Sequence, residues 1–525
     1  MITTTGAGFD IVLITADYYD DHPFSPAGII ARVLDAKGYK VGIIERPETE
    51  EDFTRLGAPK LCFCVTSGSV DSMVNNYTPL KKKRVGDSSV TKMPDRAVIV
   101  YCNGIKRNFK LSTIVIGGIE SSLRRFAHYD YWDNDVRRSI LLDSRADILV
   151  YGNGEKQVIE IADRLRDRKD LRGIMGTCIL SRTVGPDFEM LPSFKEVKED
   201  KAKFCQMQVA FSNCKNQAQE YENNYVLQYK YPNYTTEDLD WIYSLGYTRK
   251  LHPRSQLKMA KFSVVTHRGC IGGCNFCSIA LHQGDKIISR SEASILKEIK
   301  DLTKHPDFKG YIDDLGGPSA NMYGMDCEKR CGESCWRCKD LDRSHRRLIS
   351  LLRKARAIPG VKKIFVRSGI RYDLALDSED YIKELSEHHI SGTLKIAPEH
   401  FSVEVLKLMN KDNSRFDEFV EIFNSLNKGK KQTLRYYILI GHPGDDEGQV
   451  KLLGGKLAKL RNIEQFQLFT PTPTTVSSCM YWTGLNPFTL EKVKVVHDYH
   501  TKKKIKRILL ESIKESHSAD MLSWE

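Results

Sequence analysis

The chain alternates short apolar runs with amphipathic stretches. Asp10–Thr15, Tyr39–Ile44, Leu61–Val65, Ser112–Ile116 and Asp147–Tyr151 are rich in Val, Ile and Leu and predict buried strands. Between the first two, Ala27–Lys37 places Ile29, Ile30, Val33 and Leu34 on one helical face and stops at Gly38. Strand, helix and strand at these lengths make a βαβ unit. A further helix is expected over Glu155–Leu165, after the fifth strand. The pattern predicts a doubly wound, Rossmann-like α/β domain over residues 1–170. Thr66-Ser67-Gly68-Ser69, Gly117-Gly118 and Gly152-Asn153-Gly154 fall at the carboxyl ends of its strands, where such domains bind ligands.

The pattern weakens over residues 171–254, where polar residues dominate 213–224 and Pro232 and Pro253 interrupt. Tyr221, Tyr225, Tyr229, Tyr231 and Trp241 are too many aromatics for a disordered segment. This stretch is expected to be a connector with some helix, wrapped against the second domain. A basic insertion between Asn75 and Lys110, carrying Lys81-Lys82-Lys83-Arg84, reads first as a solvated loop and second as an anion contact. From residue 255 the alternation resumes. Strands are expected near Phe262–Val265, Tyr311–Asp313, Lys363–Val366, Thr393–Ile396, Tyr436–Ile440 and Phe466–Phe469, with helical patterns between them. Six βα units over residues 255–485 make a partial (βα)6 barrel. A complete eight-unit barrel takes ~250 residues, more than remain once a cysteine-rich insertion, 318–345, is removed. Residues 486–525 are expected to form a basic C-terminal helix running from Glu491 to about Glu515.

Composition narrows the class. The 525 residues are 41% apolar and 28% charged, which suits globular domains. No apolar run approaches the ~20 residues of a membrane span, and the first residues lack the basic-then-apolar pattern of a secretory signal. The expectation is a cytoplasmic protein with reduced thiols. The net charge of +12 permits an anionic partner without requiring one. Of 14 cysteines, half lie between Cys270 and Cys338. Cys62, Cys64, Cys102, Cys178, Cys205, Cys214 and Cys479 are scattered and read as buried small hydrophobes.

The clustered cysteines carry the chemistry. Cys270, Cys274 and Cys277 stand at CxxxCxxC spacing just after the first strand of the second half. Three thiolates on one tight loop can hold three irons of a 4Fe–4S cluster and leave the fourth open, whereas an electron-transfer cluster takes four cysteines. Structural zinc prefers CxxC pairs and a fourth ligand, so it fits this loop poorly. A second set, Cys327, Cys331, Cys335 and Cys338, supplies four ligands within twelve residues, enough for structural zinc or an auxiliary Fe–S cluster.

The loop His267-Arg268-Gly269-Cys270 through Cys277, with Phe276 before the third cysteine, resembles the signature of the radical S-adenosylmethionine superfamily. Leu281-His282-Gln283-Gly284, Ser289-Arg290-Ser291, Asp314 through Tyr323 and Phe469-Thr470-Pro471-Thr472-Pro473 resemble, more closely, its YgiQ family, over nearly the whole chain. The resemblance implies that the open iron binds S-adenosylmethionine and that one electron cleaves it to methionine and a 5′-deoxyadenosyl radical. It places Gly316-Gly317 near the methionine amine, although Pro318 stands where an acidic residue usually follows. Arg371 and Glu399, after the third and fourth strands, are candidate cofactor contacts. In many relatives the N-terminal domain binds cobalamin. Here Asp20-Asp21-His22-Pro23-Phe24-Ser25 lacks the glycine of a His-ligating DxHxxG motif, which argues against ligation by His22.

The reading is a radical S-adenosylmethionine enzyme that takes electrons from a flavodoxin- or ferredoxin-like partner. Alternatives are a cobalamin-dependent methyltransferase or methylthiotransferase acting on RNA, and a non-enzymatic iron–sulfur protein. The resemblance fixes cofactors and leaves the substrate open.

Overall fold

The apolar runs of the first half become strands buried on both faces, as parallel sheets covered by helices require. A computed structural model describes residues 2–84, 92–327, 335–460 and 463–522. Its largest sheet has ten strands. Val41–Glu45, Ile11–Thr15, Cys62–Thr66, Thr113–Gly117 and Ile148–Val150 lie side by side in that order, all parallel. The strand order therefore reverses between Ile11–Thr15 and Cys62–Thr66, and that crevice is where doubly wound sheets take ligands. Helix Pro26–Ala36 is capped by Ser25, whose side chain accepts from Gly28 N–H at 3.2 Å, and carries Pro at its start.

Two parts of the first half differ from expectation. Residues 171–254 are not a connector. Thr177–Ser181, Asn224–Gln228, Gln217–Tyr221 and Glu189–Met190 extend the same sheet, the first pairing antiparallel with Ile148–Val150. Their alternation is concealed because Gln217, Gln219 and Gln228 are fully buried where apolar residues would be expected. Each amide is satisfied: Gln219 Oε1 accepts from Ala127 N–H at 2.8 Å and Gln228 Oε1 from Arg125 Nε at 2.7 Å. Within the basic insertion, Ala97–Asn108 is a helix that buries Val98, Tyr101, Cys102 and Ile105 against the sheet, leaving its basic end outward.

The second half is a partial parallel barrel in chain order. Val264–Val265 pairs with Leu315–Gly316, Tyr311–Ile312 with Lys363–Ile364, and Ile370 with Ile396. Thr393–Glu399, Thr433–Ile440 and Ile463–Leu468 then form a continuous parallel sheet. Helices such as Glu292–Leu302, Arg346–Arg356 and Phe416–Leu426 bury their apolar faces outside it. The C-terminal helix starts at Tyr499, later than expected. Upstream, Leu485 pairs with Lys492 and Leu490 takes a left-handed φ of 59°, so the chain folds back before it can become helical. Lys502 on that helix is buried, with Nζ 2.9 Å from Tyr131 Oη and 2.8 Å from Tyr481 Oη. Among the described residues no helix is long and apolar enough to cross a membrane.

Candidate active site between the two halves

The cysteine loop leaves the first barrel strand through a tight bend. His267–Arg268 pairs antiparallel with Ile288–Ser289, and Gly269 follows at φ 85°. A Cβ on Gly269 would lie 1.8 Å from Lys286 O, so no other residue fits there. Cys270 N–H donates to Gly284 O at 3.1 Å and Cys277 N–H to Cys274 O at 3.0 Å. The tip is clamped from outside. Asn275 N–H and Nδ2 donate to Met409 O and Leu408 O, Asn410 Nδ2 donates to Gly273 O at 2.8 Å, and Ser477 N–H donates to Asn275 O at 3.0 Å. Helix Ile279–Gln283 then starts.

Gly272 sits between two of the thiols. A Cβ there would lie 3.4 Å from Cys270 Sγ, 3.8 Å from Cys274 Sγ and 2.7 Å from Arg371 Nη1. Two of the three thiols and the Arg371 guanidinium thus border Gly272. Burial raises the Cys270 thiol and pushes Cys277 up to about 12. Thiols so buried become ligands only when a metal centre displaces their protons. Among the described residues no three His, Cys, Asp or Glu side chains converge tightly enough for a single metal ion. Three soft thiols on one loop are the ligand type that iron–sulfur clusters take.

The other sequence-predicted residues divide into groups. Arg371 is set after Ile370, its N–H donating to Asn321 Oδ1 at 2.8 Å and its guanidinium paired with Asp373. Glu399 ends its strand at a register shift and takes a left-handed φ of 64°, a strained state for a residue with a side chain. Burial raises its carboxyl, and Lys411 nearby opposes the shift. Glu399 is also close enough to Cys277 to influence that thiol. Gly316 and Gly317 lie at the barrel mouth, and at Gly317 packing alone demands glycine. A Cβ on Gly317 would be 2.6 Å from the His267 ring. Of the second cysteine set, Cys335-Trp336-Arg337 forms a short helical turn against the first loop. Cys335 packs against the same small apolar cluster as Cys270, one that includes Ile271, and Trp336 is 5.2 Å beneath the Arg371 guanidinium. Cys327 and Cys338 are partly buried, and Cys331 lies outside the described residues. His400 and His442 are structural: His442 Nε2 is 2.6 Å from Ser477 Oγ and His400 faces Asp445.

A cavity of about 420 Å³ opens between the halves. Its floor is the carboxyl edge of the N-terminal sheet, at Thr66, Gly118 and Gly152, and its far wall holds Gly316, Gly317 and His282. Pro23, Phe24, Ile29 and Ile30 make one side apolar. Gly118 takes φ 83°, and a Cβ there would meet Thr66 Oγ1 at 2.4 Å, so a larger residue would distort the floor. Cys64 lines this cavity and Cys214 is exposed, so these two are not the buried hydrophobes expected. Sequence patterning missed the contacts that join the halves. Arg268 Nη1 pairs with Glu155 Oε1 at 2.6 Å, both buried, and His282 Nδ1 meets Ser122 Oγ at 3.0 Å.

Residues 2–266 match the family described as Radical SAM N-terminal, residues 264–453 the Radical SAM superfamily, and residues 464–517 a domain of unknown function, DUF3362. A UPF0313 protein of Methanocella arvoryzae is 44% identical over 93% of this chain and 87% of its own length. One of Fusobacterium nucleatum is 44% identical over 96% of each. Among solved structures, the radical S-adenosylmethionine methyltransferase TsrM of Kitasatospora setae, with cobalamin and a [4Fe-4S] cluster bound, superposes with TM-score 0.54 at 15% identity, over 90% of this chain and 75% of that one. The cobalamin-dependent S-adenosylmethionine radical enzyme OxsB, with aqua-cobalamin bound, gives 0.52 at 11% identity, over 90% and 55%. At these identities the likeness is one of fold.

Proposed function

The chain belongs to the UPF0313 family of radical S-adenosylmethionine enzymes, and from that premise we propose that its radical chemistry is directed into the cavity between its halves, beside a corrinoid held there. Its cofactors are a 4Fe–4S cluster and S-adenosylmethionine. When bound, these supply one-electron cleavage of a C–S bond to methionine and a 5′-deoxyadenosyl radical.

In this reading Cys270, Cys274 and Cys277 hold the cluster beside Gly272. Arg371 neutralises charge beside it. Gly316 and Gly317, on the cavity wall, and Glu399, near Cys277, would meet the methionine end of S-adenosylmethionine. One observation carries the corrinoid. A single cavity runs from Gly316-Gly317 to the carboxyl edge of a doubly wound sheet, with an apolar side and a polar rim of Glu155, Arg268 and Asn153. A macrocycle with apolar faces and an amide edge fits that lining. TsrM and OxsB, which share the fold, were solved with cobalamin bound. The second cysteine set would brace the cluster loop through Cys335 and Trp336, whether it holds zinc or iron.

Electrons would come from a reducing partner of the flavodoxin or ferredoxin type, in the cytoplasm. The basic residues that motivate an RNA partner are in part engaged within the chain, Lys502 by two tyrosines and Lys504 by Glu447 at 2.7 Å. We therefore place the substrate in the cavity rather than on the C-terminal helix. The test is anaerobic reconstitution with iron, sulfide and hydroxocobalamin, then desalting and quantification. One corrinoid retained per chain is expected. Cluster loading without any retained corrinoid would overturn the cavity's proposed role.

A further inference from the structure

A corrinoid in this cavity would have few protein nitrogens within reach. His22, the residue nearest to a ligating motif, is turned away. Its Nδ1 accepts from Phe24 N–H at 3.1 Å, its Nε2 is 3.0 Å from Lys261 O and 3.1 Å from Arg249 Nη1, and it does not line the cavity. Two imidazoles do line it, His267 and His282. His267 exposes none of its surface, is held at Nδ1 by Thr266 Oγ1 at 2.9 Å, and is pressed against Gly317.

His282 differs. It is only partly buried, it belongs to the helix that follows the cysteine loop, and its Nδ1 lies 3.0 Å from Ser122 Oγ across the interface. Ser122 Oγ is itself fixed, accepting from Gly152 N–H at 3.0 Å. The Nε2 atom of His282 takes no hydrogen bond among the described residues. An imidazole oriented through one nitrogen by an outer partner, with the other free of hydrogen bonds and the residue lining a cavity, is the arrangement of a metal-ligating histidine. Burial holds this ring at about 4, so it is neutral near pH 7 and has a lone pair to offer. The remaining soft donor in the lining, Cys64, must first lose a proton and lies with its Sγ 3.8 Å from Cys62 Sγ.

We propose that His282 Nε2 would be the protein's nitrogen donor to the metal of a corrinoid held in the interdomain cavity, with Nδ1–H donating to Ser122 Oγ. This rests on the corrinoid reading above. It places the donor on the barrel side, on the segment that also carries Cys277, where a conventional cobalamin domain would use its own first loop.

The test uses the full chain reconstituted with cobinamide, a corrinoid without its own nucleotide base, reduced to Co(II). Electron paramagnetic resonance should show each resolved cobalt line split in three by one 14N nucleus, and in two when the protein carries 15N-labelled histidine. His282→Gln should retain cobinamide with the splitting lost. Labelling the unmutated protein keeps the test independent of how the variant folds. Retention with unsplit lines in the unmutated protein, or splitting that persists in His282→Gln, overturns this inference alone. Failure to retain any corrinoid overturns both it and the reading beneath it.

Discussion

The Arg268–Glu155 pair should behave as a buried joint between the halves, and its loss should be expensive. Arg268 retains 8% side-chain exposure and Glu155 4%, with Nη1 and Oε1 2.6 Å apart. Arg268 Nε also donates to Tyr243 Oη at 3.1 Å, and Glu155 Oε2 accepts from Tyr234 Oη at 3.1 Å. Arg268→Met keeps the apolar stem but leaves the Glu155 carboxylate buried and without its cation. Breaking one partner of such a pair costs about 3–5 kcal/mol. Glu155 opens the helix Glu155–Arg166, whose amino end favours a carboxylate by about 0.3–1 kcal/mol. Its bond from Tyr234 survives. The net expectation is therefore about 3 kcal/mol. Adding Glu155→Gln removes the stranded charge while keeping an acceptor for Tyr234, so the double variant should recover about 2 kcal/mol of that loss. Anaerobic urea unfolding of the cluster-free protein, followed by circular dichroism and tryptophan fluorescence, reads both changes at the first transition. Equal midpoints for Arg268→Met and the parent, or a double variant less stable than Arg268→Met, would mean that the pair is no such joint.

Gly317→Ala should drive a methyl into the His267 ring, at 2.6 Å, and destabilise by about 1–3 kcal/mol; adding His267→Ala should relieve much of it, as a urea midpoint will show. Acid should weaken the fold early. Burial holds His128 and His345 near 4 and His442 near 3, while the unfolded chain protonates near 6.5. Below pH 6.5 the unfolded state binds more protons, so stability falls as pH drops toward 4, by at most about 1.4 kcal/mol per unit for each ring. A melting temperature flat from pH 6.5 to 4.5 would contradict that sign. Cys178→Ala, at a fully buried site far in sequence from the cysteine loop, should leave cluster absorbance unchanged while lowering stability.

The strands of the first half were legible because a parallel sheet covered on both faces is written as uninterrupted apolar runs, and Ile11–Thr15 or Thr113–Gly117 could hardly be anything else. The strands over 177–228 were not, because their inward positions include Gln217, Gln219 and Gln228, polar side chains whose hydrogen-bond partners lie in loops and elements that the local pattern does not show. The helix Ala97–Asn108 was hidden by the basic residues around it. At the site, the cysteine loop announced itself through spacing, since its ligand types lie within eight consecutive residues. The contacts that build the cavity did not. Glu155 and Arg268 are 113 residues apart, and Ser122 and His282 are 160 apart. Neither pair has a local pattern to betray it. His282 could have been singled out by its place just after the loop, but only the fold shows which of its nitrogens is held and which is open.

Cys270, Cys274 and Cys277 are the seat of reductive S-adenosylmethionine cleavage in this reading, and every other role assigned to the cavity depends on them. The direct measurement is 5′-deoxyadenosine released when the anaerobically reconstituted protein meets dithionite and S-adenosylmethionine, compared with Cys270→Ala, Cys274→Ala and Cys277→Ala prepared alike. The parent should release 5′-deoxyadenosine and methionine in equal amounts, and each variant none above background. A parent that carries its cluster yet releases no 5′-deoxyadenosine, or a variant that releases as much as the parent, would contradict the assignment of these cysteines.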